Sequence, residues 1–292
     1  MNLIEEAAKR LRQLEEAGVA RAPQSSHAGI GAQPRRVNGE SGKRSPEVRP
    51  IPPRTLDLGR LQACGFITPT LRDSRLLHEF RVIKRPLIQH ALGRSATQAP
   101  NRNLIMVTSA LPNEGKSFVA VNLAMSLAME VDCRVLLVDA DVISPSVPEV
   151  LGIEPAKGLM DVLTGAATPL REALLGTNVE RLTLLLAGTP HANASEFLAS
   201  EAMTRLLSEL ASRYPDRIVV FDSPPLLATT ESRVLATHMG QVILAVEAQR
   251  TTHAALESAL ATVESCPVVY TLLNKTPESK VGSYYGAYAY GS

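Results

Sequence analysis

The chain has no tryptophan, and aromatic residues make up only 4% of its 292 positions, so where its few tyrosines stand is informative. Cysteine is scarce too. Cys64, Cys133 and Cys266 are far apart, odd in number and form no CxxC pair, which argues against a disulfide framework or a zinc site. Free thiols in a reducing cytoplasm are the plain expectation. Charge of one sign is lacking: the net charge is +1, which gives no overall pull toward nucleic acid. No apolar run reaches the roughly 18 residues that a membrane-crossing helix needs. The opening MNLIEEAAKRLRQLEEAG is broken by charges before an apolar run can form, so it does not read as a signal peptide. Any work at a membrane would then need something else to hold the chain there. The histidines His78, His90, His191, His238 and His253 show no metal-ligand spacing.

What is present divides into four parts. Ile4, Ala7, Leu11 and Leu14 repeat at nearly heptad spacing and predict an amphipathic helix over residues 1–17, stopped at Gly18. Such a helix is marginal alone and needs a surface to dock on. Residues 18–55 are rich in Pro, Gly, Ser and Arg and read as a disordered linker. From 56 to 276 the pattern is that of a folded domain. It begins with helical stretches, of which LRDSRLLHEFRVIKRPLIQHAL is the clearest. It continues with six apolar runs, LIMVTS, RVLLVDAD, LTLLLAG, RIVVFDSPP, QVILAVEA and PVVYTLLN, most of them separated by helical patterns. Continuous apolar strands alternating with helices predict an α/β fold, a mostly parallel sheet with helices on both faces. Residues 277–292 form a tail in which Tyr284, Tyr285, Tyr288 and Tyr290, four of the six tyrosines, are spaced by Gly and Ala. A stretch of that composition cannot build a core.

The chemistry lies at the ends of the apolar runs. LIMVTS leads into SALPNEGKSF, where Gly115, Lys116 and Ser117 form the GK[ST] of a P-loop between a strand and a helix. Pro112, Asn113, Glu114, Gly115, Lys116, Ser117 and Phe118 are the candidate nucleotide cradle. Backbone N–H groups would surround phosphate oxygens, Lys116 would reach the β- and γ-phosphates, and the Ser117 hydroxyl would ligate Mg2+. Ala110 stands where the motif's first glycine is usual. VLLVDAD places Asp139 and Asp141 at the carboxyl end of the second strand, the edge where open α/β sheets bind ligands. In a continued strand both would face one side. RIVVFD ends in Asp222, an acid after four apolar residues in the manner of a Walker B strand, followed by the stiff pair Pro224 and Pro225.

The P-loop, the D-x-D strand end, the D-S-P-P strand end and the tyrosine-rich tail together resemble the bacterial tyrosine kinases of exopolysaccharide and capsule loci. The resemblance covers about residues 100–292 and reaches upstream through LLHEFRVIKRPLI. MNLIEEAAKRL, LLAGTPHANASEFLAS and RYPDRIVVFDSPPLLATTESRVLATHMGQVILAVEA are similar to the subgroup found with exosortase (PEP-CTERM) loci. It implies a P-loop NTPase fold of the MinD/ParA-like, deviant Walker type, with ATP and Mg2+ as cofactors. It also implies a tyrosine autokinase that labels Tyr284, Tyr285, Tyr288 and Tyr290, between the subunits of a homo-oligomeric ring. Lys116, Asp139, Asp141 and Asp222 match its catalytic positions, Ser117, Asp139 and Asp222 its metal positions, and Asn274 the Asn that recognises adenine in related ATPases. The implied partners are a membrane activator like a chain-length determinant, which would hold a cytoplasmic chain at the inner face of the membrane, and a protein-tyrosine phosphatase. No nucleic acid is implied.

Three features depart from the family pattern. Ile143 and Ser144 stand where an Arg usually follows D-x-D, and Asn113 replaces a common loop glycine. In the ring-forming pattern E-x-x-R-x-x-[RK], Arg81 and Lys84 fit, but His78 takes the Glu position, with Glu79 one residue late. Three other readings remain at this point. A MinD/ParA-like ATPase switch would carry a signature Lys where Leu111 stands. A nitrogenase-iron-protein-like reductase would need cluster cysteines. A catalytically weak scaffold of the export machinery is compatible with the departures. A tyrosine hydroxyl has a pKa of about 10, so a phosphoryl acceptor benefits from a base. Asp141 is preferred for that task and Asp139 for the metal, although the two roles could be exchanged. The tail has the reach: the ten residues from Asn274 to Tyr284 extend up to roughly 33 Å.

Overall fold

The computed structural model describes residues 53–95, 99–165, 168–213 and 217–277. The expected N-terminal helix, most of the linker and the tyrosine cluster lie outside the described residues, as does Tyr214. The elements run α1 (Leu58–Ala63), α2 (Arg75–Ala91), β1 (Leu104–Ser109), α3 (Lys116–Ala128), β2 (Arg134–Asp139), α4 (Val147–Leu151), α5 (Leu159–Leu163) and α6 (Leu170–Ala173). They continue with β3 (Leu174–Gly176), β4 (Leu182–Leu185), α7 (Ala194–Leu198), α8 (Glu201–Arg213), β5 (Arg217–Asp222), α9 (Glu231–Thr237), β6 (Gln241–Glu247), α10 (His253–Thr262) and β7 (Val269–Asn274).

The strands form one sheet in the order β3-β4-β2-β5-β1-β6-β7. All neighbours pair in parallel except β3, which runs antiparallel to β4. All six apolar runs are strands. The seventh, β3, is three residues long and has no apolar run of its own, so periodicity gives no sign of it. Arg54, within the stretch read as linker, also joins the fold: its backbone bridges to Thr177, with its N–H on the Gly176 carbonyl at 2.8 Å.

The sheet is covered on both faces, as continuous apolar strands require. Along β1, Leu104 and Met106 pack on one side with α5, α7, α8 and α9. Ile105 and Val107 pack on the other with α1, α2 and α3. Helix α3 lies at the centre of that second face, and every residue from Val119 to Ala128 is buried. Helix α2 buries Leu77, Phe80, Leu87 and Ala91 at helical spacing, with Ser74 capping its start.

Lys84 lies on the same buried stripe of α2. Its ammonium donates to the Ser126 carbonyl at 2.7 Å and pairs with Glu130 at 2.7 Å. Arg81, one turn earlier, is exposed. Of the two basic residues that fit the ring-forming pattern, one therefore serves the fold of its own chain. Glu79 pairs with Arg75 and His78 with Asp73, both at the surface.

The upstream segment is tied to the P-loop helix by Asn122, which is fully buried. Its Oδ1 accepts the Ile67 N–H at 2.7 Å, and its Nδ2 donates to the Phe118 carbonyl at 2.9 Å. In Asn122→Leu, the Ile67 N–H is left buried without an acceptor, which costs about 1–3 kcal/mol. Chemical denaturation is expected to show an unfolding free energy lower by that amount, and an unchanged value would mean that the clasp carries no stability.

Candidate active site

The site sits at the carboxyl ends of the three central strands, and the register builds it. Asp139 on β2 and Asp222 on β5 are paired neighbours, and Asp222 also faces Val107 on β1. β2 ends at Asp139, so Asp141 lies just past the strand and not in it. It still turns inward: its Oδ2 is 2.7 Å from Lys116 Nζ, and its Oδ1 accepts the Ser144 N–H at 3.1 Å. Lys116 Nζ is also 3.7 Å from Asp222 Oδ1. The sequence-predicted Lys116, Asp139, Asp141 and Asp222 are thus brought together.

The electrostatics are lopsided, with three carboxylates around one ammonium. Burial pushes the Asp139 carboxyl up to about 8, and Asp222 and Asp141 add to the push, while the Val147 N–H and Lys116 resist it. Burial also raises Asp222, against the pull of Lys116. Burial works to lower Lys116, but Asp222, Asp141 and Asp139 outweigh it and hold the lysine above its ordinary value. Asp139 Oδ1 and both Asp222 oxygens are buried without a hydrogen-bond partner. Unpartnered buried carboxylate oxygens beside a serine hydroxyl are a donor set that fits a hard divalent cation such as Mg2+. No group of three or more His, Cys, Asp or Glu suited to a metal occurs among the described residues. A cation here would therefore need oxygens from its nucleotide as well, which is how Mg2+ is usually held.

The loop itself is tightly shaped. Asn113 and Gly115 both have positive φ, at 67° and 91°. A Cβ on Gly115 would lie 2.1 Å from Asn274 Nδ2, so glycine is required there twice over. Between them Glu114 is buried at 2% exposure, accepting the Leu111 N–H at 2.9 Å and the Thr251 hydroxyl. Gly115 precedes α3, whose N-terminus faces the site with no side-chain cap. Ser117 Oγ accepts a hydrogen bond from Ser146 at 2.7 Å. Phe118 packs at a tilt on Phe66, 5.1 Å between ring centres, so its ring is engaged in packing. Pro112 is exposed at the loop's outer edge. Asn274 donates from its amide to the Glu114 carbonyl at 2.9 Å. Ser146, Thr251 and Lys275 escape motif reading, because they come from other loops and only the fold brings them to the P-loop.

Residues 101–257, just over half of the chain, match the ParA family described as NUBPL iron-transfer P-loop NTPase. The chain is 34% identical to tyrosine-protein kinase YwqD of Bacillus subtilis over 183 residues, covering 62% of this chain and 75% of YwqD. The chain belongs to the bacterial tyrosine-protein kinases, within the ParA-type P-loop NTPases. It is 31% identical to tyrosine-protein kinase ptk of Acinetobacter johnsonii over 64% of its own length, and it spans about a quarter (25%) of ptk. It likewise spans 26% of EpsB of Ralstonia nicotianae. Among solved structures, the VpsO kinase domain superposes with a TM-score of 0.59 at 28% identity, covering 69% of this chain and 96% of that one. The chimeric protein CapA2B2 shares the fold, with a TM-score of 0.62 at 23% identity, over 78% of this chain and 95% of that one. The tyrosine-kinase fold thus accounts for the sheet and the P-loop together, and it agrees with the α/β fold expected from the strand and helix pattern. No helix among the described residues is long and apolar enough to cross a membrane.

The raised Asp139 makes a prediction for this kinase domain. An unfolded chain releases that proton near the ordinary 3.8, whereas the folded chain keeps it until about 8. The unfolded state then binds fewer protons across that window, so stability falls as pH rises from about 4 to about 8. Asp139→Asn removes the ionisation. Urea denaturation without nucleotide or Mg2+ is expected to find the variant more stable than the parent at pH 8, with the gap closing toward pH 5. A gap that does not grow with pH contradicts this.

Proposed function

We propose that this chain is a MgATP-dependent protein-tyrosine autokinase. Its acceptors are Tyr284, Tyr285, Tyr288 and Tyr290, labelled between the subunits of a homo-oligomer, and its action regulates exopolysaccharide synthesis or export. The observation that carries this reading is the gathering of Lys116, Asp139, Asp141 and Asp222 around one P-loop. In this reading the loop N–H groups receive the phosphates of ATP, and Lys116 shifts its ammonium from Asp141 onto them. Ser117, Asp139 and Asp222 would hold Mg2+. When bound, Mg2+ would supply neutralisation of the phosphate charge. Asp141, freed of Lys116, takes the proton of the tyrosine hydroxyl as its oxygen bonds to the γ-phosphorus and ADP leaves. Asp139 and Asp222 suit the metal because they are in register and Asp139 Oδ1 and both Asp222 oxygens lack a hydrogen-bond partner, while Asp141 stands beyond the strand end.

The tail's path begins beside this site, since Lys275 Nζ lies 2.6 Å from the Asn113 carbonyl. The nine residues from there to Tyr284 extend up to roughly 30 Å, enough for the chain's own site or a neighbour's. Partners in this reading are a membrane activator like a chain-length determinant, which keeps the kinase at the inner face of the membrane, and a phosphatase that resets the tail. Each phosphotyrosine adds about −1.5 to −2 charge, so four take the net charge from +1 to about −5 to −7 and loosen crowded tails. Ile143 and Ser144 are exposed where the family carries Arg, which favours weaker catalysis than in relatives with that charge.

Purified protein with labelled ATP and Mg2+ tests the reading. Tyrosine label is expected in the parent and absent from Lys116→Met and from a variant with Phe at all four tail positions. Asp141→Asn should keep nucleotide binding and lose about 10²–10⁴-fold in transfer. Rapid ATP hydrolysis with no tyrosine label contradicts the kinase and favours an ATPase switch.

A further inference from the structure

The P-loop is held from outside by the root of the tyrosine tail. Asn274, the last residue of β7, donates from Nδ2 to the Glu114 carbonyl at 2.9 Å. Lys275, the next residue, donates from Nζ to the Asn113 carbonyl at 2.6 Å. Lys275 is itself braced at 3.1 Å by Glu247, at the end of the neighbouring strand β6. Asn274 is fixed in turn, because its carbonyl accepts the Ala248 N–H at 2.9 Å. Two consecutive peptide groups of the loop are thus pinned by their oxygens.

A trans peptide is planar, and its N–H points opposite to its C=O. Among the described residues all peptides are trans. Holding the Asn113 carbonyl outward therefore turns the Glu114 N–H the other way, and holding the Glu114 carbonyl does the same for the Gly115 N–H. Neither of these N–H groups has a hydrogen-bond partner among the described residues. The Glu114 side chain works in the same sense. It is buried and accepts the Leu111 N–H and the Thr251 hydroxyl, so it adds to the fixing of its own residue.

We propose that Asn274 and Lys275 are positioning residues that aim the Glu114 and Gly115 N–H groups at the phosphates of a bound nucleotide. The inference rests on the nucleotide-binding reading above. It gives Asn274 a part at the phosphate end of the ligand, and it gives Lys275 a role that its motif does not show. It also makes the start of the tail a structural part of the cradle, so the tail departs from a fixed point beside the phosphates.

The test separates phosphate from base. The full chain is titrated calorimetrically with Mg2+ and either ATP or inorganic tripolyphosphate, which has no base. Asn274→Ala and Lys275→Met are each expected to lose affinity for both compounds by the same factor, about three- to tenfold. Lys275→Arg should restore most of the loss. Glu247→Gln leaves the site more positive but unbraces Lys275, so weaker binding is expected. Four results would overturn the proposal. Asn274→Ala could weaken ATP while sparing tripolyphosphate, which makes Asn274 a base reader. Lys275→Met could bind both compounds as the parent does. Glu247→Gln could bind more tightly, which reduces Lys275 to a distant charge. A parent that binds neither compound overturns the nucleotide reading itself. Lys275 is half-exposed, so its variants keep the test decisive if Asn274→Ala fails to fold.

Discussion

Three carboxylates share one buried edge with a single lysine, and much of this molecule is arranged around that charge imbalance. Asp139, Asp141 and Asp222 would repel one another strongly out of water. Lys116 offsets part of the repulsion, yet burial first, and the neighbouring acids after it, hold Asp139 and Asp222 above the ordinary carboxylate range. Such an arrangement is costly for folding alone, since buried unpaired acids destabilise a domain. It becomes understandable as a receptor for positive charge that arrives with a polyanion. A cation would satisfy the unpartnered oxygens, and phosphate would give Lys116 a second place to go.

The rest of the fold holds that edge still. The register of β2 and β5 sets Asp139 beside Asp222, and β1 delivers the P-loop between β5 and β6. Helix α3 is buried along nearly its whole length, so its N-terminus cannot drift from the loop. Asn122 ties the upstream segment to that helix, and Asn274 with Lys275 ties the opposite edge of the sheet to the loop. The loop is therefore braced on one side by residues distant in sequence, and the helix that follows it is clasped on the other. Lys84 shows the same economy of placement: a basic residue that fits an assembly pattern is anchored on the inside of its own domain.

The six long strands, the three long helices after the P-loop and the acidic strand ends were all legible in the sequence, because each is a periodic pattern or a residue type at a strand terminus. β3 was not, since three residues cannot display a period and its pairing depends on β4. The short helices α4 to α7 and α9 were unmarked for the same reason. The inward turn of Asp141 was expected from a continued strand. It is achieved instead by a loop that closes on the Asp141 carboxylate through the Ser144 N–H. Asn274 was visible as a candidate, yet its contact with the Glu114 carbonyl was not, because nothing local in LLNK specifies a partner 160 residues away. Ser146 and Thr251 belong to the same class: hydroxyls made relevant by topology alone.

The central claim is that these acids and the P-loop together form one site for a divalent cation and a nucleotide. Calorimetric titration of ADP with and without Mg2+, in the parent and in Asp222→Asn, tests it most directly. Without the cation, three acids face the phosphates, so Mg2+ should tighten ADP binding by about tenfold or more in the parent, roughly 1.4 kcal/mol. It should do far less in the variant. Equal ADP affinity with and without Mg2+ in the parent would contradict the account.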